Sequence, residues 1–263
     1  MPIDVNSAAS VQDVHQVLMK VPQITALFWI TKIFATTFGE TAGDAVSMSM
    51  NLGYLLSTFI FSLVFIVAVF FQIRSKSYHP FLYWFAIIAS TTVGTTLADF
   101  VDRSLGIGYV GGSALLLSLV GISLFIWHKS EGSISPHVVN QPRVELFYWL
   151  TLTFSQTLGT ALGDWSADTA GLGYSGGIAL FSGLILFILL LYKLSHISRT
   201  FLFWSAFILT RPLGAVVGDF LDKPLSSGGL DLSRFGASAV LLIAIVLCVW
   251  WAKKTEKLVN DPV

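Results

Sequence analysis

Four aspartates stand at one repeated spacing inside apolar stretches of the chain. Each follows a tryptophan by fifteen residues and a glycine by five, and the four are Asp44, Asp99, Asp164 and Asp219. An aspartate at the centre of a bilayer costs on the order of 2.5–3.5 kcal/mol, so it needs water, a proton, a cation or a helix-bundle interior. Carboxylate oxygens suit protons, sodium and hard divalent metals. We therefore predict that these aspartates bind a small cation, with a metal ion as one hypothesis.

A second acidic residue accompanies each aspartate at helical spacing. Glu40 precedes Asp44 by four residues, whereas Asp102, Asp168 and Asp222 follow their aspartates by three or four. Residues three or four apart share a helix face, so both carboxylates of a pair are expected to point the same way. The alternative is that Asp102, Asp168 and Asp222 lie at helix ends in contact with headgroup water.

Threonines stand seven residues before three of the aspartates. Thr37, Thr92 and Thr157 hold this position, and Pro212 replaces them in the fourth copy. Seven residues are nearly two helical turns, so the threonines are expected on the aspartate face. We predict that they line the ion-binding site together with Glu40.

Two basic residues lie within the apolar stretches. Lys32 is three residues from Trp29 and is expected to extend its ammonium group towards the membrane surface. Arg211 lies deeper and precedes a proline, so we expect it to pair with Glu40 or with one of the aspartates. Such a pair suits either a fixed internal salt bridge or a gate. We predict charge pairing or gating for Lys32, Arg211, Asp102, Asp168 and Asp222.

The composition indicates an integral membrane protein. Of the 263 residues, 54% are hydrophobic and 11% are charged, where soluble domains carry about 25% charged residues. The net charge of zero gives no reason to expect nucleic acid as a partner. Cys248 is the single cysteine, and no metalloprotease, hydrolase or nucleotide-binding motif is present, so we expect no enzyme activity. No cofactor is predicted apart from a bound hard cation.

The apolar residues form eight runs of 18–24 residues, two in each repeat. This length crosses a hydrocarbon core of about 30 Å, and strand-like alternation is absent, so eight transmembrane helices are predicted. The runs are 24–47, 53–72, 81–102, 109–127, 145–168, 174–192, 200–222 and 235–252.

The spacing of the repeats divides the chain into two pseudo-equivalent halves. The repeated tryptophans are 55, 65 and 55 residues apart, so the middle connection is longer by ten residues. Each repeat crosses the membrane twice, so the four are parallel, not inverted. The predicted segments are an N-terminal arm (1–23), a first half (24–128), a linker (129–144), a second half (145–252) and a C-terminal tail (253–263).

The basic residues outside the runs predict the orientation. Ten of them fall on the side of both termini and three on the other side. Because Lys and Arg are enriched in cytoplasmic loops, both termini are predicted to be cytoplasmic.

Four tandem two-span units, each with Trp and Gly-x4-Asp, resemble a bacterial family of integral membrane proteins. That family is defined by a four-fold tandem repeat of unknown function. The resemblance covers about residues 24–252, with Pro212 and Ala98 as departures from its pattern. It implies the bacterial inner membrane and supplies no activity.

Two functions remain open after this reading. The first is a transporter or exporter of a small cation, linked to protons, sodium or a hard divalent metal. The alternative is a non-transporting scaffold or partner subunit whose acidic pairs are structural. The predicted partners are the lipid bilayer and a small cation or proton, and the sequence leaves the oligomeric state open. An intramembrane enzyme fits less well, because no pair of nucleophile and base is evident.

Overall fold

Eight long α-helices make up most of the computed structural model, which describes residues 20–136 and 139–260, with side chains up to 255. No β-strand occurs in these two ranges. The helices are α1 (Ala26–Asp44), α2 (Gly53–Arg74), α3 (Pro80–Asp99), α4 (Gly108–Glu131), α5 (Pro142–Asp164), α6 (Gly173–Leu194), α7 (Arg199–Asp222) and α8 (Arg234–Asn260). Each corresponds to one predicted apolar run.

The helix ends follow from local sequence. Thr25 caps α1 by accepting a hydrogen bond from the backbone N–H of Phe28 at 3.3 Å. Pro80 and Pro142 occupy the first position of α3 and α5, where a missing N–H costs nothing. Gly132 ends α4 with a φ of 73°, a conformation that glycine adopts without strain.

The segment boundaries differ in places from the predicted ones. The connection between α4 and α5 is shorter than the predicted linker 129–144, and α8 continues through most of the predicted tail. Most of the predicted N-terminal arm lies outside the described residues.

Three of the repeats turn at the same end through a π-helical segment. These segments, Ala45–Ser49, Phe100–Ser104 and Trp165–Thr169, directly follow α1, α3 and α5. The fourth repeat differs, because α7 stays α-helical as far as Asp222. A π-helical turn inserts extra backbone, so residues after it no longer keep the 100° spacing of the preceding α-helix.

The odd-numbered helices, called the inner helices below, form a closed ring. Helix α1 packs against α3, α3 against α5, α5 against α7, and α7 against α1. Neighbours are parallel, because Gly39 meets Thr91 while Gly43, one turn on, meets Thr95. The tryptophans therefore lie at one end of the ring (the Trp end) and the aspartates at the other (the Asp end).

The even-numbered outer helices interlock the repeats. Helix α2 packs against α3, α4 against α5, α6 against α7, and α8 returns to pack against α1. Each outer helix thus packs on the inner helix of the next repeat. Helix α3 also packs against α5 across the linker, so the described helices form one ring and not two separate bundles.

Glycines allow the inner helices to approach closely. A Cβ atom at Gly94 would lie 2.8 Å from the carbonyl carbon of Gln156 on the next helix. Gly39, Gly159 and Gly214 meet the equivalent position on their own neighbours. Such small residues are typical of helix contacts within membranes.

The outer surface is strongly apolar. Large side chains such as Phe59, Leu117 and Phe125 are more than half exposed on the outer helices. Six helices, all except α1 and α5, are long and apolar enough to cross a membrane. The first of the two exceptions carries Lys32, Glu40 and Asp44, all of them buried. The chain is therefore a helical, repeat-built protein of membrane type.

Candidate functional site

The interior of the ring is built in layers, because the four inner helices are in register. A residue at a given place in one repeat lies at the same level as its equivalents in the other three. Three layers carry polar chemistry. From the Trp end they are the plug (Phe28, Tyr83, Tyr148 and Phe203), the central ion pair (Arg211 with Glu40, Thr95 and Thr160) and the acidic layer (Asp44, Asp99, Asp164 and Asp219).

The plug closes the Trp end with aromatic rings. Tyr83 and Tyr148 are fully buried, and their hydroxyl oxygens lie 2.6 Å apart in a hydrogen bond. Trp84, Trp149 and Trp204 are also buried and pack edge-on or tilted against these rings. Indole and phenol rings thus fill the ring interior at this end.

The central ion pair joins all four inner helices. Arg211 on α7 contacts Oε2 of Glu40 on α1 at 3.0 Å, and both side chains are buried. The same guanidinium group donates to the hydroxyls of Thr95 on α3 and Thr160 on α5, at 2.5 and 2.6 Å. The sequence prediction of an ion pair between Arg211 and Glu40 agrees with this geometry.

The repeat explains why an arginine can reach this position. Arg211 lies three residues before Gly214, the place that Thr36, Thr91 and Gln156 hold in the other repeats. Its Cβ and Cγ atoms pack on Gly159 of α5, where no side chain stands in the way. The long side chain therefore continues into the interior of the ring.

Two cations, Arg103 and Lys223, each bridge carboxylates of the acidic layer on two neighbouring helices, and a third, Arg234, lies 3.8 Å from Asp44. Arg103 contacts Asp99 at 2.9 Å and Asp164 at 3.3 Å. Lys223 contacts Asp44 at 2.6 Å and Asp219 at 3.0 Å. Arg103 and Lys223 each follow an aspartate by four residues and lie just beyond the ends of the diagonally opposed helices α3 and α7. The four-fold ring of carboxylates therefore carries a two-fold arrangement of charge.

The environment of Lys223 resembles a cation site. One carboxylate oxygen from each of Asp44, Asp219 and Asp222 falls within 4.8 Å of the others. The ammonium nitrogen of Lys223 lies within 4.0 Å of all three carboxylates. Burial lowers the pKa of Lys223, but these carboxylates outweigh it and raise the pKa above its usual value. Three hard oxygen donors also fit a hard metal ion, provided that the ammonium group leaves.

One protein-family model, described as Repeat of Unknown Function (DUF347), matches the chain four times. The matches span residues 27–78, 82–133, 147–198 and 202–257. The chain belongs to this family. Each DUF347 repeat contains one inner and one outer helix, so the predicted four-fold repeat is confirmed. No curated protein and no solved structure matches the chain.

The second carboxylates are placed differently in the individual DUF347 repeats. Asp222 joins Asp219 around Lys223 and accepts a hydrogen bond from Arg234 at 3.1 Å. Asp102 is buried against Gly112 of α4, and neither of its oxygens bonds to a described residue. Asp219 and Asp222 therefore share a helix face, as predicted. Asp99 and Asp102 do not, because a π-helical turn follows Asp99.

Asp168, the second carboxylate of the third repeat, lies outside the acidic layer. Its side chain is exposed, and Tyr109 donates to it at 3.4 Å. The π-helical segment Trp165–Thr169 turns it away from the ring interior. Its expected pairing role towards the layer is therefore not supported by the geometry.

The predicted threonines use their hydroxyls within their own helices. Thr37, Thr92 and Thr157 each donate to the carbonyl four residues earlier, at 2.8–3.0 Å. Thr95 and Thr160 are the threonines that bond to a charged group, Arg211, and neither was predicted as a site residue. Both hold the place of Glu40, directly after the repeated glycine, and that equivalence could have identified them.

Lys32 does not extend to the surface, so that expectation is wrong. Its side chain is fully buried, and Nζ lies 4.1 Å from the centroid of the Phe207 ring. It stands on the interior face of α1, level with Ile87, Leu152 and Phe207 of the other repeats. Because α3 and α7 pack on both sides of α1, the side chain has no path to the lipid interface.

Proposed function

We propose that this protein is a multi-pass membrane transporter or exporter of a small cation, with the ring interior as its path. The transported species is a proton, sodium or a hard divalent metal. In this proposal all eight helices cross the bacterial inner membrane, and both termini are cytoplasmic. The Trp end then faces the cytoplasm, and the acidic layer lies towards the outer surface.

Helices α1 and α5 are included among the membrane spans because of their place in the ring. The buried polar residues of α1 and α5 lower their apolar character, but inside the ring these residues face other helices instead of lipid. Polar side chains are tolerated at membrane depth when they face a bundle interior. Both helices also stand in the ring beside α3 and α7, which have the length and composition of spans.

The position of Lys223 is the observation that carries the proposal. Its ammonium group lies within 4.0 Å of three carboxylates, as a bound cation would. Because the ammonium group is attached to the protein, it can move away from the carboxylates while another cation binds them and can return afterwards. A mobile cation or proton that enters from the Asp end would compete with Lys223 and Arg103 for the same oxygens.

The layers below the acidic one supply the steps of a path. The central ion pair presents Glu40, a further carboxylate, about 6 Å deeper, since four helical residues separate it from Asp44. The plug closes the Trp end, where the tyrosine hydroxyls bond to each other. Opening of the plug and release of the ion pairs would occur at different times, as alternating access requires.

The test is cation transport by the purified protein in liposomes. Asp44→Asn, Asp99→Asn, Asp164→Asn and Asp219→Asn are each compared with the wild type for uptake of sodium, manganese and protons. Asp231→Asn is the matched control, because Asp231 is exposed in the loop before α8. We expect transport of one cation to fall at least tenfold in the layer variants and to persist in the control. Equal transport in all five variants would overturn the proposal.

A second candidate is supported by the same ion pairs. Every carboxylate of the acidic layer lies within 3.3 Å of a protein cation, as expected of a structural network in a non-transporting scaffold. In that case the Asp→Asn variants lose thermal stability in detergent, and the wild type moves no cation in liposomes. Reduced transport with unchanged stability favours the transporter.

A further inference from the structure

A fully buried lysine lies between the plug and the central ion pair. Among the described residues, Nζ of Lys32 has no hydrogen-bond acceptor, and it lies 4.1 Å from the centroid of the Phe207 ring. Its level is otherwise filled by Ile87, Leu152 and Phe207, all fully buried. A buried ammonium group without an acceptor is costly, so its charge requires a partner or must be lost.

A second unsatisfied donor lies one turn closer to the Asp end. Gln156 of α5 is fully buried, and neither atom of its amide bonds to a residue of the described ranges. Gln156 holds the same place in its repeat as Arg211. The Cβ atom of Gln156 lies against Gly94 of α3, as the Cβ atom of Arg211 lies against Gly159 of α5.

The third unsatisfied donor is Nε of Arg211, which belongs to the central ion pair. Nε of Arg211 has no acceptor in the part of the chain that the structure describes, whereas its terminal nitrogens bond to Glu40 and two threonines. Glu40 balances the charge of Arg211. A protonated Lys32 would therefore carry the unbalanced charge in this part of the ring.

From these three groups we infer an anion site in the ring, between the plug and the central ion pair. Lys32 supplies the charge, and the amide of Gln156 and Nε of Arg211 supply further N–H donors. The ligand is a small monovalent anion of the halide class, because the site offers one positive charge and N–H donors among fully buried apolar side chains. The site goes beyond the proposed cation transport and does not depend on it.

The site also accounts for a lysine at the level of Ile87 and Leu152 and for an unpartnered glutamine one turn closer to the Asp end. The level of Lys32 needs only an apolar side chain for packing, as Ile87 and Leu152 show. Buried polar groups are normally satisfied by protein, water or an ion. A halide satisfies the donors of both residues and neutralises Lys32 at the same time.

The first experiment measures thermal unfolding in detergent with chloride, bromide, sulfate or gluconate as the sodium salts at equal ionic strength. Bound ligand stabilises the folded state, so chloride and bromide should raise the Tm in a saturable manner over gluconate and sulfate. Lys32→Met keeps the length of the side chain and removes the charge, and it should abolish the halide response. Lys76→Met, at an exposed lysine between α2 and α3, should retain it.

A second variant and a second readout keep the test decisive. Gln156→Leu should weaken the halide response at least threefold in apparent affinity, and it serves if Lys32→Met does not fold. Crystals grown in bromide should show anomalous density between Lys32 and Gln156.

A wild-type protein with equal Tm in chloride and gluconate and no bromide density would overturn the inference and indicate a neutral Lys32. A halide response that survives in Lys32→Met would overturn it as well. The Asp44→Asn variant should still respond to halide, so this site and the cation site can fail separately.

Discussion

Arg211 donates from both terminal nitrogens to Oε2 of Glu40, at 3.0 and 3.1 Å, although 171 residues separate them in the chain. The contact joins the last inner helix to the first and so closes the ring. Both residues are exceptions to the four-fold repeat, and they stand in two repeats that become neighbours only through closure.

Removing one charge of this pair should destabilise the protein more than removing both charges. Glu40→Gln leaves the guanidinium group buried without its counter-charge, at a cost of about 3–5 kcal/mol. The double variant Glu40→Gln with Arg211→Met removes both charges and should recover most of that loss. Thermal and denaturant unfolding in detergent measures both variants. Arg143→Gln breaks a pair whose arginine side chain is 73% exposed, so a loss of at most about 1 kcal/mol is expected. A double variant less stable than Glu40→Gln would contradict the expectation.

The close approach of the inner helices gives a second prediction. A methyl group at Gly94 would meet the backbone of Gln156, which cannot rotate away, so Gly94→Ala should destabilise the ring by about 1–3 kcal/mol. Gly121→Ala on α4 is the matched control, because no atom lies within 4 Å of its added Cβ. That control should be neutral or slightly stabilising, since alanine favours a helix. Unfolding in detergent measures both, and equal stability of the two variants would argue against ring contact at Gly94.

Lys223 gives a prediction about metal affinity. Lys223→Gln removes the cation that contacts Asp44, Asp219 and Asp222 together and leaves Arg234 on Asp222 at 3.1 Å. A hard divalent ion should therefore bind these carboxylates more tightly than in the wild type. Arg103→Gln is the comparison, because it leaves only two carboxylates, Asp99 and Asp164. Electron paramagnetic resonance with Mn²⁺ measures the bound fraction. We expect at least a tenfold gain in affinity for Lys223→Gln and a smaller gain for Arg103→Gln. No gain in either variant would exclude the layer as a divalent-metal site.

The fold could be predicted largely from local patterns, whereas its closure could not. Eight apolar runs and four copies of one frame were enough to predict the helices and the parallel repeats. The packing of α8 on α1 joins the two ends of the chain, and no local pattern indicates that contact. The spacing of the tryptophans favoured two halves, but the length of a connection does not determine how the helices pack. The two-fold character lies in the charges of Arg103 and Lys223.

The site was predicted in part, and the errors have physical causes. The repeat frame predicted that the four aspartates lie together, and the depth of Arg211 predicted a pair with Glu40 or with one of the aspartates; the structure shows Glu40. Helical periodicity failed for Asp102 and Asp168, because π-helical turns change the angular spacing after the aspartate. Distance from Trp29 suggested that Lys32 reaches the surface, yet its direction depends on which face of α1 lies inside the ring.

The ammonium group of Lys223 gives a prediction about pH. A raised folded-state pKa means that its stabilising contribution is complete below the unfolded value of about 10.4 and is lost only as the pH rises through the higher folded value. The difference in Tm between the wild type and Lys223→Met should therefore stay constant from pH 8 to pH 9.5. Groups far from Lys223 titrate alike in both proteins and cancel in the difference. A difference that shrinks across this range would mean that Lys223 loses its proton there, and that the carboxylates do not hold the ammonium form.

The orientation of the ring can be measured with single cysteines. Cys248→Ala removes the only cysteine of the chain, and in that background Ser77→Cys labels the α2–α3 loop at the Trp end. Ser226→Cys labels the loop after α7 at the Asp end, and both serines are exposed.

The excess of basic residues at the Trp end predicts a cytoplasmic location for that end. A membrane-impermeant maleimide added to intact spheroplasts should therefore label Ser226→Cys and leave Ser77→Cys unlabelled until the membrane is broken. The reverse pattern would invert the orientation, and labelling of both cysteines in intact spheroplasts would contradict a bundle that crosses the membrane between its Trp and Asp ends.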